Sequence, residues 1–196
     1  MTSVIVHRLY KNFKQPLNLH LIMNMGHDTS QLCKEKNLVA LEIKLGVEFE
    51  NKDLLIQAVT RKAYVKELRD KDPNCMRLDN ERLEFLGDSV LELIVRKHLY
   101  DQMPDEVGVL APKCRETVKR RSLAKVSFEF GLSEHLFLTD SEEEGLRRKP
   151  RILADSLEAV IGAVFLETDY IRTKDIVLNQ IFQEHWVERM ESEPGI

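Results

Sequence analysis

Four acidic residues stand where helices should be apolar. In Leu83-Glu84-Phe85-Leu86-Gly87-Asp88-Ser89-Val90-Leu91, Glu84 and Asp88 are four apart and project from one face of a largely apolar helix. Glu81 lies three residues before Glu84 and Glu92 four after Asp88, so the stripe extends in both directions. Like charges at this spacing repel, and a helix gains nothing from aligning them unless a cation or solvent separates them. The second segment, Ile152 to Leu166, is a nearly continuous apolar run broken by Asp155 and Glu158, three apart. A helix apolar on most sides is buried, and buried carboxylates are costly unless paired or bound to metal. Each segment alone has a plainer reading: a helix-dipole contact for Asp155, or an arginine partner for each acid. Together, two such helices could build a four-carboxylate, hard-oxygen site suited to Mg²⁺ or Mn²⁺.

The cationic residues complement this arrangement. Lys113, Arg115, Lys119, Arg120, Arg121 and Lys125 crowd one helical segment, and Arg147, Arg148, Lys149 and Arg151 directly precede the Asp155 segment. A solvated face is the ordinary explanation of such runs. Beside a metal-binding acid cluster they are also what a phosphodiester nuclease needs: ions to activate water and stabilise the leaving oxygen, cations to hold the phosphate backbone.

The elements that must position these residues are helices. Leu38 to Leu45 and Leu54 to Val59 fit two short amphipathic helices joined by Gly46 to Asn51. Lys66 to Pro73 reads as a charged loop, and Arg77 to Tyr100 as a long helix ended by Pro104 to Gly108. Gly87 sits inside that helix, where it costs ~1 kcal/mol relative to Ala, which points to close approach of another backbone. Pro112 suits the first turn of a further helix running to about Phe130. Asp140 to Glu144 reads as an acidic loop, Ile152 to Leu166 as a buried helix, and Ile171 to Met190 as a last amphipathic helix. The division expected is an N-terminal extension over 1–36, loosely ordered, one domain over 37–190, and a tail over 191–196.

Composition bounds the reading. With 8 Gly and 6 Pro among 196 residues and 7% aromatics, strand-and-turn and low-complexity classes are disfavoured, which points to a soluble, mostly helical protein. Lys plus Arg number 29 against 33 Asp plus Glu, a net charge of −4, which taken as an average opposes a plain electrostatic nucleic-acid binder. Cys33, Cys75 and Cys114 are widely spaced, which fits free thiols in a reducing compartment and hence the cytoplasm. The N-terminal stretch, with Arg8, Lys11 and Lys14 and no acid before Asp28, superficially resembles an organellar import signal but is poor in Arg and Ser. No apolar stretch is long enough to span a membrane. His27-Asp28 lacks nearby metal-ligand spacing, so a His-Asp phosphohydrolase is a weak option. His98, His135 and His185 each stand alone among helical residues, as packing or surface histidines do.

Asn80-Glu81-Arg82-Leu83-Glu84-Phe85-Leu86-Gly87-Asp88-Ser89-Val90-Leu91 closely resembles the signature of ribonuclease III, and Ile152 to Leu166 resembles the family's second block. Leu41 to Gly46 and Asn51 to Leu55 are similar to its opening helices. The resemblance implies an all-α endonuclease domain, a homodimer, and Mg²⁺-dependent cleavage of double-stranded RNA to 5′-phosphate and 3′-hydroxyl ends in RNA processing. By position it makes Glu84, Asp88, Asp155 and Glu158 the metal-binding catalytic carboxylates, with Asp88 and Glu158 foremost. Glu81 corresponds to an acid supporting the dimer and the site's edge, and Phe85 to an aromatic that enters the partner subunit, unless it is simply core. Lys113, Lys119, Arg120, Arg121 and Arg148 are the cations expected to meet RNA.

Three features depart from the family pattern. A further acid is expected at Val107, with Glu106 one position earlier. The motif Thr-His-x-Ser-Tyr reads Thr60-Arg61-Lys62-Ala63-Tyr64, which alters a local polar cluster but no metal ligand. The length also leaves no room for the double-stranded-RNA-binding domain typical members append, so the dimer surface itself is expected to grip RNA, through shape and backbone contacts. The competing class is a catalytically silent module that binds RNA or the ribosome. It predicts loss of one of the four acids, and all four are present.

Overall fold

The structure, a computed structural model, describes residues 38–146 and 149–183. The expected extension over 1–36, the tail, and His27-Asp28, Cys33, Arg147, Arg148 and His185 lie outside these residues. Among the described residues the fold is helical, and the only strand-like feature is an isolated parallel bridge between Thr60 and Phe137.

Two short helices open it, α1 (Leu38–Leu45) and α2 (Lys52–Ala58), as the apolar spacing predicts. Their connection is held by Glu42, a buried carboxylate that accepts from the Phe49 N–H at 2.7 Å and pairs with Lys52 at 2.6 Å. The segment read as a charged loop is instead helix α3 (Lys62–Lys71). Its charged side chains face solvent while Tyr64, Val65 and Leu68 form a narrow buried seam. It stops at Asp72, because Pro73 disfavours helical backbone in the residue before it.

The long signature helix, α4, spans Glu81–Gln102. The following helix also departs from expectation. It begins earlier, as α5 (Val107–Val118), with Pro112 inside it rather than in the first turn. Val109 and Leu110 N–H groups both donate to Glu106 O, which starts the helix ahead of the proline. The chain then breaks at Lys119, whose extended ψ of 144° ends α5 and caps α6 (Arg120–Glu129). A 3₁₀ turn, Leu132–His135, leads to α7 (Asp140–Gly145), a helix where the acidic composition reads as a loop. Thr139 and Glu142 form a reciprocal capping box that satisfies the first donors of this short acidic helix.

The buried helix α8 runs over Pro150–Glu167, starting with Pro in its first turn. The last segment, α9 (Tyr170–Ile176), widens into a π-helical turn over Val177–Ile181. Helix α8 is the axis of the domain: it packs along α4 and against α6 and α2. Residues 152–157 and 159–164 are all buried, and Leu157 and Ile161 are fully enclosed with Leu91, Ile94, Leu99, Leu123 and Leu136. Each such side chain contributes about 1.5–3 kcal/mol of burial. That packing is what makes Asp155, 4% exposed, an exception that demands a partner. No described helix is long and apolar enough to cross a membrane.

Candidate active site

Helices α4 and α8 meet through two glycines. A Cβ on Gly87 would lie 1.7 Å from Glu158 O, and one on Gly162 would lie 2.4 Å from Leu83 O. Only hydrogen fits at either position, so the two backbones touch. Gly87 thus makes the close approach its mid-helix position predicts. The contact sets the α4 acids directly across from the α8 acids.

The result is a pocket of about 440 Å³ lined by Glu81, Glu84, Phe85, Asp88, Arg120, Arg151, Asp155 and Glu158, with Val118 and Ala154. One carboxylate oxygen each from Glu84, Asp155 and Glu158 lie within 4.8 Å of one another. Asp88 lines the same pocket from a more exposed position. Such an all-carboxylate oxygen set has the chemistry of a divalent-cation site.

Charge crowding registers on two members. Burial pushes the Glu158 carboxyl up to about 8, with Asp88, Asp155 and Glu84 adding to the shift and Arg120 opposing it. Burial also raises Glu84, reinforced by Asp155 and opposed by Arg61 and Arg151. Without a cation, then, the cluster holds a proton on Glu158 at neutral pH.

Asp155 is held by two guanidinium groups that share one oxygen: Arg151 Nε is 3.2 Å and Arg61 Nη1 3.4 Å from Oδ2. The arginine-partner explanation therefore applies to Asp155, and among the described residues no ion pair extends it to Glu84, Asp88 or Glu158. The Arg61 contact also means that the departure at the Thr60-Arg61 motif reaches a carboxylate of the cluster. No local spacing announced it, since Arg61 and Asp155 are 94 positions apart.

The flanking acids are placed differently. Glu81 pairs with Lys62 at 2.8 Å on the pocket's edge. Glu92 turns away to Arg96, at 2.5 Å, so the stripe of four acids on α4 contributes only its middle pair and Glu81 to the pocket. Glu106 is exposed at the N-cap of α5 and does not line the pocket. Phe85 is 79% exposed on the pocket rim, which rules out a core role within this chain. Of the cations singled out for RNA, Arg120 reaches the pocket. Lys119 is paired with Glu116, Lys113 lies against Met103 Sδ, and Arg121 is exposed on α6. Among the described residues, Cys75 and Cys114 are free thiols.

A helical domain with carboxylates from two glycine-apposed helices converging on one pocket is a nuclease-like architecture, and comparison with known proteins agrees. Residues 51–185 match the family model described as ribonuclease-III-like, and the chain belongs to that family. It is 40% identical over 148 residues to Ribonuclease 3 of Campylobacter jejuni (strain RM1221), covering 74% of this chain and 62% of that protein. Ribonuclease 3 of Natranaerobius thermophilus is also 40% identical, over 146 residues, covering 74% and 61%. The chain therefore spans about three fifths of the length of these curated relatives. A solved nuclease domain of C. jejuni ribonuclease III, described for flexibility in a region involved in dimer formation, superposes with a TM-score of 0.65 at 37% identity, covering 75% of this chain and 97% of that one. The helical fold is that of a ribonuclease III nuclease domain.

Proposed function

We propose that this chain is a divalent-cation-dependent endoribonuclease that cuts double-stranded RNA to 5′-phosphate and 3′-hydroxyl ends, acting as a homodimer in the cytoplasm, with RNA processing as its role. The observation that carries the reading is the convergence of Glu84, Asp88, Asp155 and Glu158 on one pocket with Arg120 and Arg151 on its rim. Family membership and the names of the relatives support the same activity. Free Cys75 and Cys114 suit a reducing compartment.

The acid cluster fits a hard divalent cation, Mg²⁺ first and Mn²⁺ second, because its donors are all carboxylate oxygens and three of them are already within 4.8 Å. When bound, such an ion supplies Lewis-acid activation of water and stabilisation of the departing 3′ oxygen. Glu84, Asp88, Asp155 and Glu158 would hold it. Glu158 must first give up the proton that burial and its neighbours keep on it. Arg120, exposed beside the pocket, is placed to meet a phosphate as the RNA backbone passes. Lys113, Lys119, Arg121 and Arg148 complete the proposed RNA-facing set. Phe85 is the natural anchor of the second subunit, since a phenyl ring left 79% exposed loses ~1.5–3 kcal/mol of burial that a partner could recover.

The test is cleavage of a long RNA duplex with Mg²⁺. Short fragments are expected, abolished in Asp88→Asn and Glu158→Gln while duplex binding persists. Stoichiometric duplex binding without cleavage by the unaltered protein would refute the enzyme in favour of a silent RNA-binding module. A monomer at micromolar concentration in sedimentation would refute the dimer.

A further inference from the structure

We propose that Arg61 is a positioning residue for Asp155: wedged between Asp155 and Glu142, its guanidinium fixes one carboxylate oxygen and supplies the positive charge that keeps the acid cluster folded before a cation arrives. The proposal deepens the metal-site reading above, and its cation-linked half rests on that reading.

Three observations carry it. First, the Arg61 side chain is 14% exposed and lies between two carboxylates, with Nη1 3.4 Å from Asp155 Oδ2 and Nε 3.7 Å from Glu142 Oε1. Its Nε is buried with no hydrogen-bond partner. A guanidinium so enclosed is a costly way to fill space, and charge opposite Asp155 is what offsets the cost. Second, its backbone is pinned. Arg61 N–H donates to Phe137 O at 3.2 Å, the Phe137 N–H donates to Val59 O at 2.8 Å, and the Asn80 N–H donates to Thr60 O at 3.0 Å. Arg61 therefore starts α3 from a fixed point tied both to the strand-like bridge and to the start of α4. Third, the other partner of Asp155, although closer at 3.2 Å, is far more open to solvent. The Arg151 side chain is 70% exposed, so solvent screens it, and exposed pairs contribute little. Asp155, at 6% side-chain exposure, is left depending chiefly on Arg61.

Both guanidinium contacts fall on Oδ2, so Oδ1 is not engaged by either arginine. The clamp thus orients the carboxylate while leaving an oxygen for the pocket. Arg61 also counters the raised Glu84 carboxyl through space. Arginine carries its charge at every pH at which the protein folds, so the positive charge at this position is permanent.

The experiment is a double-mutant cycle on thermal unfolding of the full chain in EDTA, with Arg61→Gln, Asp155→Asn and both together. Arg61→Gln should weaken the folding equilibrium at least about ten-fold, but much less in the Asp155→Asn background, where the charge it compensates is gone. An equal loss in both backgrounds, or no loss in the first, overturns the proposal and makes Arg61 a packing residue. If Arg61→Gln does not fold, Arg61→Lys in the same cycle decides, because it keeps the charge but cannot bridge both carboxylates and should fall between. Saturating MnCl₂ should raise the melting midpoint of Arg61→Gln more than that of the parent, and an equal rise would also count against the clamp. If Mn²⁺ fails to raise the parent's midpoint, the metal-site reading fails, and the EDTA cycle still decides the clamp.

Discussion

Replacing Gly87 by alanine separates the helix-contact argument from ordinary helix propensity, because the two predict opposite signs. In an exposed helix interior the change would gain about 1 kcal/mol. Here the new Cβ would sit 1.7 Å from Glu158 O and 2.6 Å from Glu158 C, so α4 and α8 must part by more than an ångström. The obstacle is backbone and cannot rotate aside. Overpacking a filled core costs ~1–3 kcal/mol, and a backbone neighbour places this site at the upper end. Subtracting the propensity gain leaves a net loss of about 2 kcal/mol, or ~4–8 °C in melting midpoint for a chain of this size. Gly108→Ala is the control, since no atom outside its own helix lies within 4 Å and it should be neutral or stabilising by up to ~1 kcal/mol. Function should suffer beyond stability. The atom displaced belongs to Glu158, and Glu84 and Asp88 flank Gly87, so the separation acts on the carboxylates directly. A misplacement of ~1 Å can cost ~100-fold in rate. The assay pairs thermal melts with single-turnover RNA cleavage across an Mg²⁺ titration, at a temperature where the variant is folded. A Gly87→Ala protein as stable as its parent, cleaving normally, would refute the reasoning.

Stability without divalent ions should fall as pH rises. The folded state holds a proton on Glu158 to about pH 8 that the unfolded chain releases near 4.5, so this contribution is complete below about 4.5 and lost as pH climbs through about 8. Melts in EDTA from pH 5 to 8.5 should show the decline, and Glu158→Gln should flatten it; a midpoint that rises over this range in EDTA would contradict the assignment. Phe85→Ala should weaken self-association by at least ~10-fold while leaving the monomer's melting behaviour nearly unchanged, because the ring is already exposed. Sedimentation across a concentration series checks this, and a loss of monomer stability would return Phe85 to a core role.

The parts of the site legible in the sequence were those written within one helix. Glu84, Asp88, Asp155 and Glu158 were conspicuous because an acid on an apolar face has few cheap explanations. Gly87 was legible for the same reason, as a costly residue in a helix interior. Its counterpart Gly162 acquires meaning only once the helices are paired, and so does Arg61, whose partner is remote in the chain. Helix α3 was obscured because only Tyr64, Val65 and Leu68 turn inward and the rest reads as charge. Helix α7 did carry a signal, Thr139 followed three residues later by Glu142, a capping pair masked by the acidity of the segment around it. The break at Lys119 had little, since neither glycine nor proline marks it and Lys119, Arg120 and Arg121 are all good helix formers.

The glycine contact and the acid cluster are one device rather than two. Carboxylates on facing helices stay apart if the helices stand at the usual 8–10 Å interaxial spacing with side chains between them. Removing the side chains at Gly87 and Gly162 brings the backbones together at the level of the acids, where repulsion is worst. The domain supports that repulsion with hydrophobic burial along the rest of α8, where Leu157 and Ile161 are fully enclosed, and, among the described residues, with direct arginine ion pairs to Asp155. Asp155 is fixed by Arg61 and Arg151, while Glu158 is left to hold a proton. The net charge of −4 is therefore a poor guide to partners. Part of the negative charge is concentrated in a pocket that a cation would neutralise, and Arg120 stands at the rim where a phosphate would pass. A chain built this way would bind polyanions well only after binding cations, so duplex affinity of the unaltered protein, read by rapid mixing before cleavage, should rise with Mg²⁺ or Mn²⁺, and affinity independent of divalent ions would show that the acid pocket does not face the RNA.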